Sequence, residues 1–195
     1  MVKLKICGLT RDECVDAVNA ALPDYAGFVF ADGSRRRVEP ERAARLQARL
    51  DPRITPVGVF VNADSSLISS LYDSGTIAIA QLHGGEDGAY IAELKRRGIP
   101  VIQVIRATRG DVANALADYH LYDGADGGSG AAFDHSTVIA CGKPVFIAGG
   151  LNASNIRDAL RLNPFAVDVS SGAESGGVKD AAKIKRLVEI VRYEA

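Results

Sequence analysis

Cys7 is the residue whose type and place most invite chemistry: it ends the short run Lys5-Ile6-Cys7, and the adjacent Gly8 leaves room for a ligand. A thiol becomes a base once its pKa falls toward working pH. Cys14 and Cys141 suit the ordinary reading of a buried cysteine as a small inert hydrophobe. Asp123, in Leu121-Tyr122-Asp123-Gly124, is either a turn former at a strand end or a carboxylic acid serving as proton donor. Asp126, Asp134 and Asp168 compete with it, and spacing does not choose among them. Arg35, Arg36 and Arg37 form a charge run of the kind usually solvated. At the mouth of a site, however, one guanidinium can hold a planar carboxylate through two parallel hydrogen bonds. His83, His120 and His135 have neither a paired-histidine nor a zinc-type spacing, so no metal site is expected.

Two glycine-rich segments point to an anion. Gly149-Gly150 and Ser170-Ser171-Gly172 each follow an apolar run near the end of the chain. Glycines let backbone N–H groups approach a phosphate closely, serine adds donors, and a helix N-terminus behind them supplies a favourable dipole. Either segment alone is adequately explained as a tight turn. Together, on neighbouring strands, they predict a phosphate cup.

These groups need a frame, and the hydropathy pattern supplies one. Apolar runs recur about every 20 to 25 residues, which predicts strands at 3–7, 26–30, 56–61, 77–82, 101–105, 119–123, 145–149 and 166–170. Runs such as Val57-Gly58-Val59-Phe60-Val61 are almost wholly apolar, as parallel strands covered by helices require. Helix signals alternate with them. Thr10 and Glu13 are spaced as a capping box, with Val15, Val18 and Leu22 on one face. Pro40 suits a first helical position. Leu67, Ile68 and Leu71 mark a third helix, and Tyr90, Ile91 and Leu94 a fourth that Gly98 and Pro100 close. Ile156, Ala159 and Leu160 mark another, and Asp180 opens a last one through Ile184, Leu187 and Val191. The connections at 108–118 and 134–142 are weaker, so one or two outer helices are expected to be short or missing.

Eight strands alternating with helices predict an α/β fold with a parallel sheet, open or closed. No Gly-rich dinucleotide fingerprint follows the first strand, which disfavours an open doubly wound sheet. A closed (β/α)8 TIM barrel removes all sheet edges. It would be compact against the ~250 residues typical of the fold. The 195 residues suit one domain, 1–195, with its site at the C-terminal ends of the strands, where the polar and glycine residues gather. A net charge of -1 argues against a nucleic-acid or membrane-surface partner held by bulk electrostatics. The N-terminal run is too short for a signal peptide, and nothing approaches the ~20 apolar residues of a membrane span. Three cysteines without metal spacing read as free thiols of a reducing cytoplasm.

In combination, these motifs resemble the phosphoribosylanthranilate isomerase family of tryptophan biosynthesis over almost the whole chain. The resemblance rests on Lys5-Ile6-Cys7-Gly8-Leu9-Thr10, Gly27-Phe28-Val29-Phe30 with Ser34-Arg35-Arg36, Gly58-Val59-Phe60-Val61-Asn62 and Gln81-Leu82-His83-Gly84. It continues through Leu121-Tyr122-Asp123, Gly127-Gly128-Ser129-Gly130 with Phe133-Asp134, Ala148-Gly149-Gly150-Leu151-Asn152 and Val167-Asp168-Val169-Ser170-Ser171-Gly172. It implies a cofactor-free, metal-free Amadori rearrangement of a phosphosugar, with Cys7 as general base and Asp123 as general acid. It further implies Arg36 on the anthranilate carboxylate, and phosphate held by Gly149, Gly150, Ser170, Ser171 and Gly172. His83, Asp168 and Gly128 are further substrate-contact candidates. A monomer and a homodimer are both compatible with the sequence.

The chain departs from the family at Ala131-Ala132 and His135, where a lysine and a tryptophan are common, and at Ser175-Gly176-Gly177, which replaces a proline-containing stretch. The analogous histidine-pathway isomerase is disfavoured by Cys7, where it would carry an aspartate, and by the absence of a half-barrel repeat. A silent phosphometabolite-binding barrel is disfavoured by the presence of both Cys7 and Asp123.

Overall fold

The computed structural model describes residues 1–106, 112–124 and 142–193. Eight strands form where the apolar runs lie: β1 Lys3–Cys7, β2 Tyr25–Val29, β3 Thr55–Phe60, β4 Ile79–Leu82, β5 Val101–Ile105, β6 Tyr119–Asp123, β7 Val145–Ala148 and β8 Ala166–Val169. Each pairs in parallel with the next, and β8 returns to β1 through Lys3↔Ala166, Leu4↔Val167, Lys5↔Asp168 and Ile6↔Val169. The sheet is therefore a closed barrel, and the open alternative is excluded.

Strand parity then sorts the side chains. Leu4 and Ile6 of β1, Phe28 of β2 and Val167 and Val169 of β8 belong to the large cluster between sheet and helices. Tyr25, Val57, Ile79, Ile102, Leu121, Phe146 and Ala166 fill the barrel interior. One strand residue further at each step of two come Cys7, Val29, Val59, Gln81, Asp123, Ala148, Asp168 and Ser170, and these line a cavity at the barrel mouth. The period of two that builds the core thus also aims the polar residues inward.

The helices are α1 Asp12–Ala21, α2 Pro40–Gln47, α3 Ser65–Asp73, α4 Gly88–Arg96, α5 Ile156–Leu160 and α6 Ala181–Tyr193. Pro40 opens α2, as expected. Asp64 and Asp87 cap α3 and α4 by accepting from the amides of Ser66 (2.8 Å) and Tyr90 (2.9 Å). The Thr10–Glu13 capping box does not form. The N-cap is Arg11, one residue later, with no side-chain cap bond, so Thr10 lies outside the helix and Glu13 falls one position short of closing the box. The connection from β5 to β6 holds a turn but no helix over 112–118, and α5 is only five residues long. Residues 107–111 and 125–141, with Gly128, Ala131, Ala132, His135 and Cys141, lie outside the described residues. Among the described residues, no helix is long and apolar enough to cross a membrane.

After β8 the chain makes a 3-10 turn, Ser171–Ala173, and then a small antiparallel hairpin, β9 Glu174–Ser175 with β10 Val178–Lys179. Gly176 (φ 58°) and Gly177 (φ 81°) form its turn. Two consecutive positive φ values are the signature of a tight hairpin turn and are closed to proline, so the Ser175-Gly176-Gly177 departure has a structural meaning.

Candidate active site

The cavity at the C-terminal ends of the strands measures about 610 Å3, within the ordinary range of ligand sites. Cys7 and Asp123 stand on different walls of it, on β1 and β6, with Arg36 and His83 beside them and Gly149, Gly150, Ser170 and Ser171 along the β7–β8 side. Residues scattered from 7 to 171 in the chain thus share one space. Gly128 lies outside the described residues, so its place is not part of this geometry.

Cys7 is buried, 8 % exposed. Burial pushes its thiol up, Lys5 and Lys179 oppose this by favouring the thiolate, and Asp168 works against them. Lys5 is wholly buried, two residues below Cys7 on the inward face of β1, and its Nζ donates to Asp168 Oδ2 at 2.7 Å. Burial disfavours the Lys5 charge, but Asp168 and Cys7 outweigh it and the net direction is upward. Ser170 Oγ donates to the Cys7 carbonyl (3.1 Å), so this hydroxyl anchors the end of β1 to the β8 loop. Gly8, at φ 90°, does not leave a vacancy for ligand as expected. A Cβ there would collide with the Arg36 side chain, whose stem occupies the space.

Among the three arginines the structure selects one. Arg35 and Arg37 are exposed, and Arg37 pairs with Asp32 and Glu39 outside the cavity. Arg36 lines the cavity, and its guanidinium is held edge-on by Glu174: Nε donates to Oε1 at 2.6 Å and Nη2 to Oε2 at 2.8 Å. Glu174 also accepts from Lys179 Nζ at 2.6 Å, across the hairpin register. The two cations hold its carboxyl down to about 2.

Asp123 Oδ2 lies 3.3 Å from His83 Nε2, and both side chains are partly exposed to the cavity. Asp168, a competitor for the acid in sequence, is instead committed to Lys5 through Oδ2. Its Oδ1 and Gln81 Oε1 are buried acceptors without a hydrogen-bond partner among the described residues, and both residues line the cavity.

On the β7–β8 side, Gly149 and Gly150 both have positive φ, and the Gly150 carbonyl accepts from the Asn152 and Asn155 amides at 3.2 Å. The 3-10 turn starts at Ser171, and the first amides of such a turn have no partner within it. Gly172 sits behind this wall, packed so closely on Leu151 and Asn152 that no side chain would fit. Among the described residues no cluster of three or more His, Cys, Asp or Glu side chains could hold a metal ion.

Lys5, Gln81, Glu174 and Lys179 were not picked out by sequence reasoning. Parity could have found the first two, since Lys5 precedes Cys7 by two and Gln81 precedes His83 by two. The Gly-Gly turn signal could have found the hairpin that carries the other two.

Comparison with known proteins bears on the family and the fold. The family model described as N-(5'-phosphoribosyl)anthranilate (PRA) isomerase matches residues 4–190. A relative from Endomicrobium trichonymphae, described as N-(5'-phosphoribosyl)anthranilate isomerase, is 47% identical over 98% of this chain and 99% of its own length. The crystal structure of phosphoribosyl anthranilate isomerase from Thermus thermophilus superposes with a TM-score of 0.85 at 33% identity, covering 100% of both chains. A further structure, described as phosphoribosyl anthranilate isomerase in complex with reduced 1-(o-carboxyphenylamino)-1-deoxyribulose 5-phosphate, superposes at TM-score 0.81 and 32% identity over 97% of each chain.

Proposed function

We propose the following division of labour for a chain that belongs to the N-(5'-phosphoribosyl)anthranilate isomerase family: Cys7 is the general base, Asp123 the general acid, and Arg36 the carboxylate clamp. The reaction is the Amadori rearrangement of N-(5'-phosphoribosyl)anthranilate to 1-(2-carboxyphenylamino)-1-deoxyribulose 5-phosphate, an aldose-to-ketose isomerisation. The observation that carries the proposal is the placement of Cys7 and Asp123 on separate walls of one cavity, with an arginine and a glycine-rich rim between them.

Asp123 gives a proton to the furanose ring oxygen, which opens the ring to an iminium. The positive nitrogen acidifies the neighbouring C–H. Cys7, as thiolate, removes that proton to give the enolamine, which tautomerises to the ketose. Each transfer is worth typically ~10²–10⁴-fold. His83, 3.3 Å from Asp123, is placed to exchange a proton with it. Arg36 binds the anthranilate carboxylate. The amides of Gly149, Gly150 and the Ser170–Gly172 turn bind the phosphate, so that the substrate is held by an anionic group at each end. The unpartnered oxygens of Asp168 and Gln81 accept from sugar hydroxyls, which would otherwise be buried unpaired. The phosphosugar is the only partner this site requires, and the chain as a whole, 1–195, acts as one catalytic domain.

The direct test is the loss of phosphoribosylanthranilate fluorescence on adding the purified protein, paired with rescue of a tryptophan auxotroph lacking this isomerase. Absence of both from well-expressed, folded protein would overturn the reading.

A further inference from the structure

Glu174 is absent from every step above, yet both its oxygens are engaged with Arg36, which lines the cavity. Its side chain is 8 % exposed. Both oxygens take the Nε and Nη2 edge of Arg36, Oε1 also takes the Lys179 ammonium, and its backbone carbonyl accepts from Lys183 Nζ at 2.6 Å. Lys179 is itself 1 % exposed and donates again to the Ser170 carbonyl at 3.0 Å. The hairpin exists, in effect, to present this pair, since Glu174 and Lys179 face each other in its register.

Two consequences follow from the charges and the fork. A guanidinium has five N–H donors in one plane. Glu174 takes one from Nε and one from Nη2, so the remaining three, two on Nη1 and one on Nη2, form the opposite edge of the fork. Arg36 and Lys179 also carry two positive charges against the single negative charge of Glu174. While Cys7 is a neutral thiol the cluster is one anion short of neutral, and a second planar carboxylate on the outer edge of Arg36 would balance it.

We propose that Glu174 is a positioning and specificity residue: it holds the Arg36 guanidinium by one edge so that only the other edge meets the substrate, and so selects a substrate whose aromatic ring carries a carboxylate. The inference rests on the reading of Arg36 as the carboxylate clamp. A partly exposed guanidinium without Glu174 would sample several orientations, and a carboxylate would have to order it on each binding event, which weakens binding without touching the proton transfers.

The test is steady-state kinetics of wild type, Glu174→Gln and Arg36→Met on two substrates, phosphoribosylanthranilate and the N-(5'-phosphoribosyl)aniline analogue that lacks the carboxylate. Glu174→Gln is expected to raise KM for the natural substrate about tenfold with kcat within about twofold, and to leave KM for the aniline analogue within about twofold. Arg36→Met is expected to show the same pattern more strongly. If Arg36→Met leaves KM for the natural substrate unmoved, the clamp reading fails and the inference with it. If Arg36→Met raises that KM but Glu174→Gln does not, the inference alone fails. An equal loss on both substrates would also overturn it, because that is what a merely structural role gives. Should Glu174→Gln fold poorly, Glu174→Asp keeps the charge beside Lys179 while withdrawing the carboxylate from the Arg36 edge, and is subject to the same outcomes.

Discussion

At the scale of single residues, the proposed chemistry turns on a thiol that its surroundings do not simply activate. Burial pushes Cys7 up while Lys5 and Lys179 favour its ionised form. A base whose pKa lies above its ordinary value is more fully ionised as pH rises. The rate constant kcat/KM is therefore expected to climb from neutral into mildly alkaline pH, before the thiol is fully titrated. A flat profile in a pH-rate series would remove the thiolate from the base role. Cys7→Ala and Asp123→Asn are each expected to lower kcat by ~10²–10⁴-fold. Binding of the reduced product, measured by calorimetry, should stay largely intact, and near-normal turnover in either variant would strip that residue of its role. Cys7 stood out in the sequence because it closes an apolar run beside a glycine, whereas Asp123 was separated from Asp126, Asp134 and Asp168 only by the family resemblance. Lys5 did not stand out, because lysine in a strand is ordinarily an exposed residue. Only its partner Asp168, 163 residues away, explains why it is inside.

At the scale of elements, the eight barrel strands were legible to within two residues, because interior and exterior faces of a parallel barrel are both apolar. The hairpin of β9 and β10 was not. Two-residue strands are too short to show a period, and their stability comes from the Glu174 cluster and the Gly176–Gly177 turn. A side chain at Gly177, with φ 81°, forces an L residue into left-handed backbone at a cost of ~1–2 kcal/mol. Gly177→Ala should therefore lower the midpoint of thermal unfolding and, by loosening Glu174, raise KM. An unchanged KM would show that the hairpin does not transmit to the site. The cluster also sets an acid limit. The Glu174 carboxyl is lowered from 4.5 to about 2, so its share of stability is full above its ordinary value and is lost as pH falls through about 2. Denaturation in urea between about pH 2 and pH 5 should show a shallower pH dependence in Glu174→Gln than in wild type. Parallel curves would contradict this.

At the scale of the molecule, closure depends on a seam between the first strand and the last. Lys5, wholly buried, and Asp168, buried at the cavity floor, meet across it in register. Removing one partner of such a pair strands a charge and typically costs ~3–5 kcal/mol, whereas replacing both by apolar groups is often neutral. Lys5→Met is expected to destabilise by about that much, and Lys5→Met/Asp168→Leu to recover most of it, as read by chemical denaturation. A single variant as stable as wild type would show that the pair is not what holds the seam. Arg192 of α6 adds a second tie by pairing with Asp24 at 2.8 Å, and Asp24 in turn accepts from the Leu4 amide.

The same seam fixes when the enzyme comes into being. A ribosome makes ~5–20 residues per second, so roughly ten to thirty seconds separate synthesis of Lys5 from synthesis of its partner. Throughout that interval the nascent sheet has two open edges and a lysine that cannot be buried. Elongation must finish before the mouth of the barrel, and the thiol set in it, can take shape.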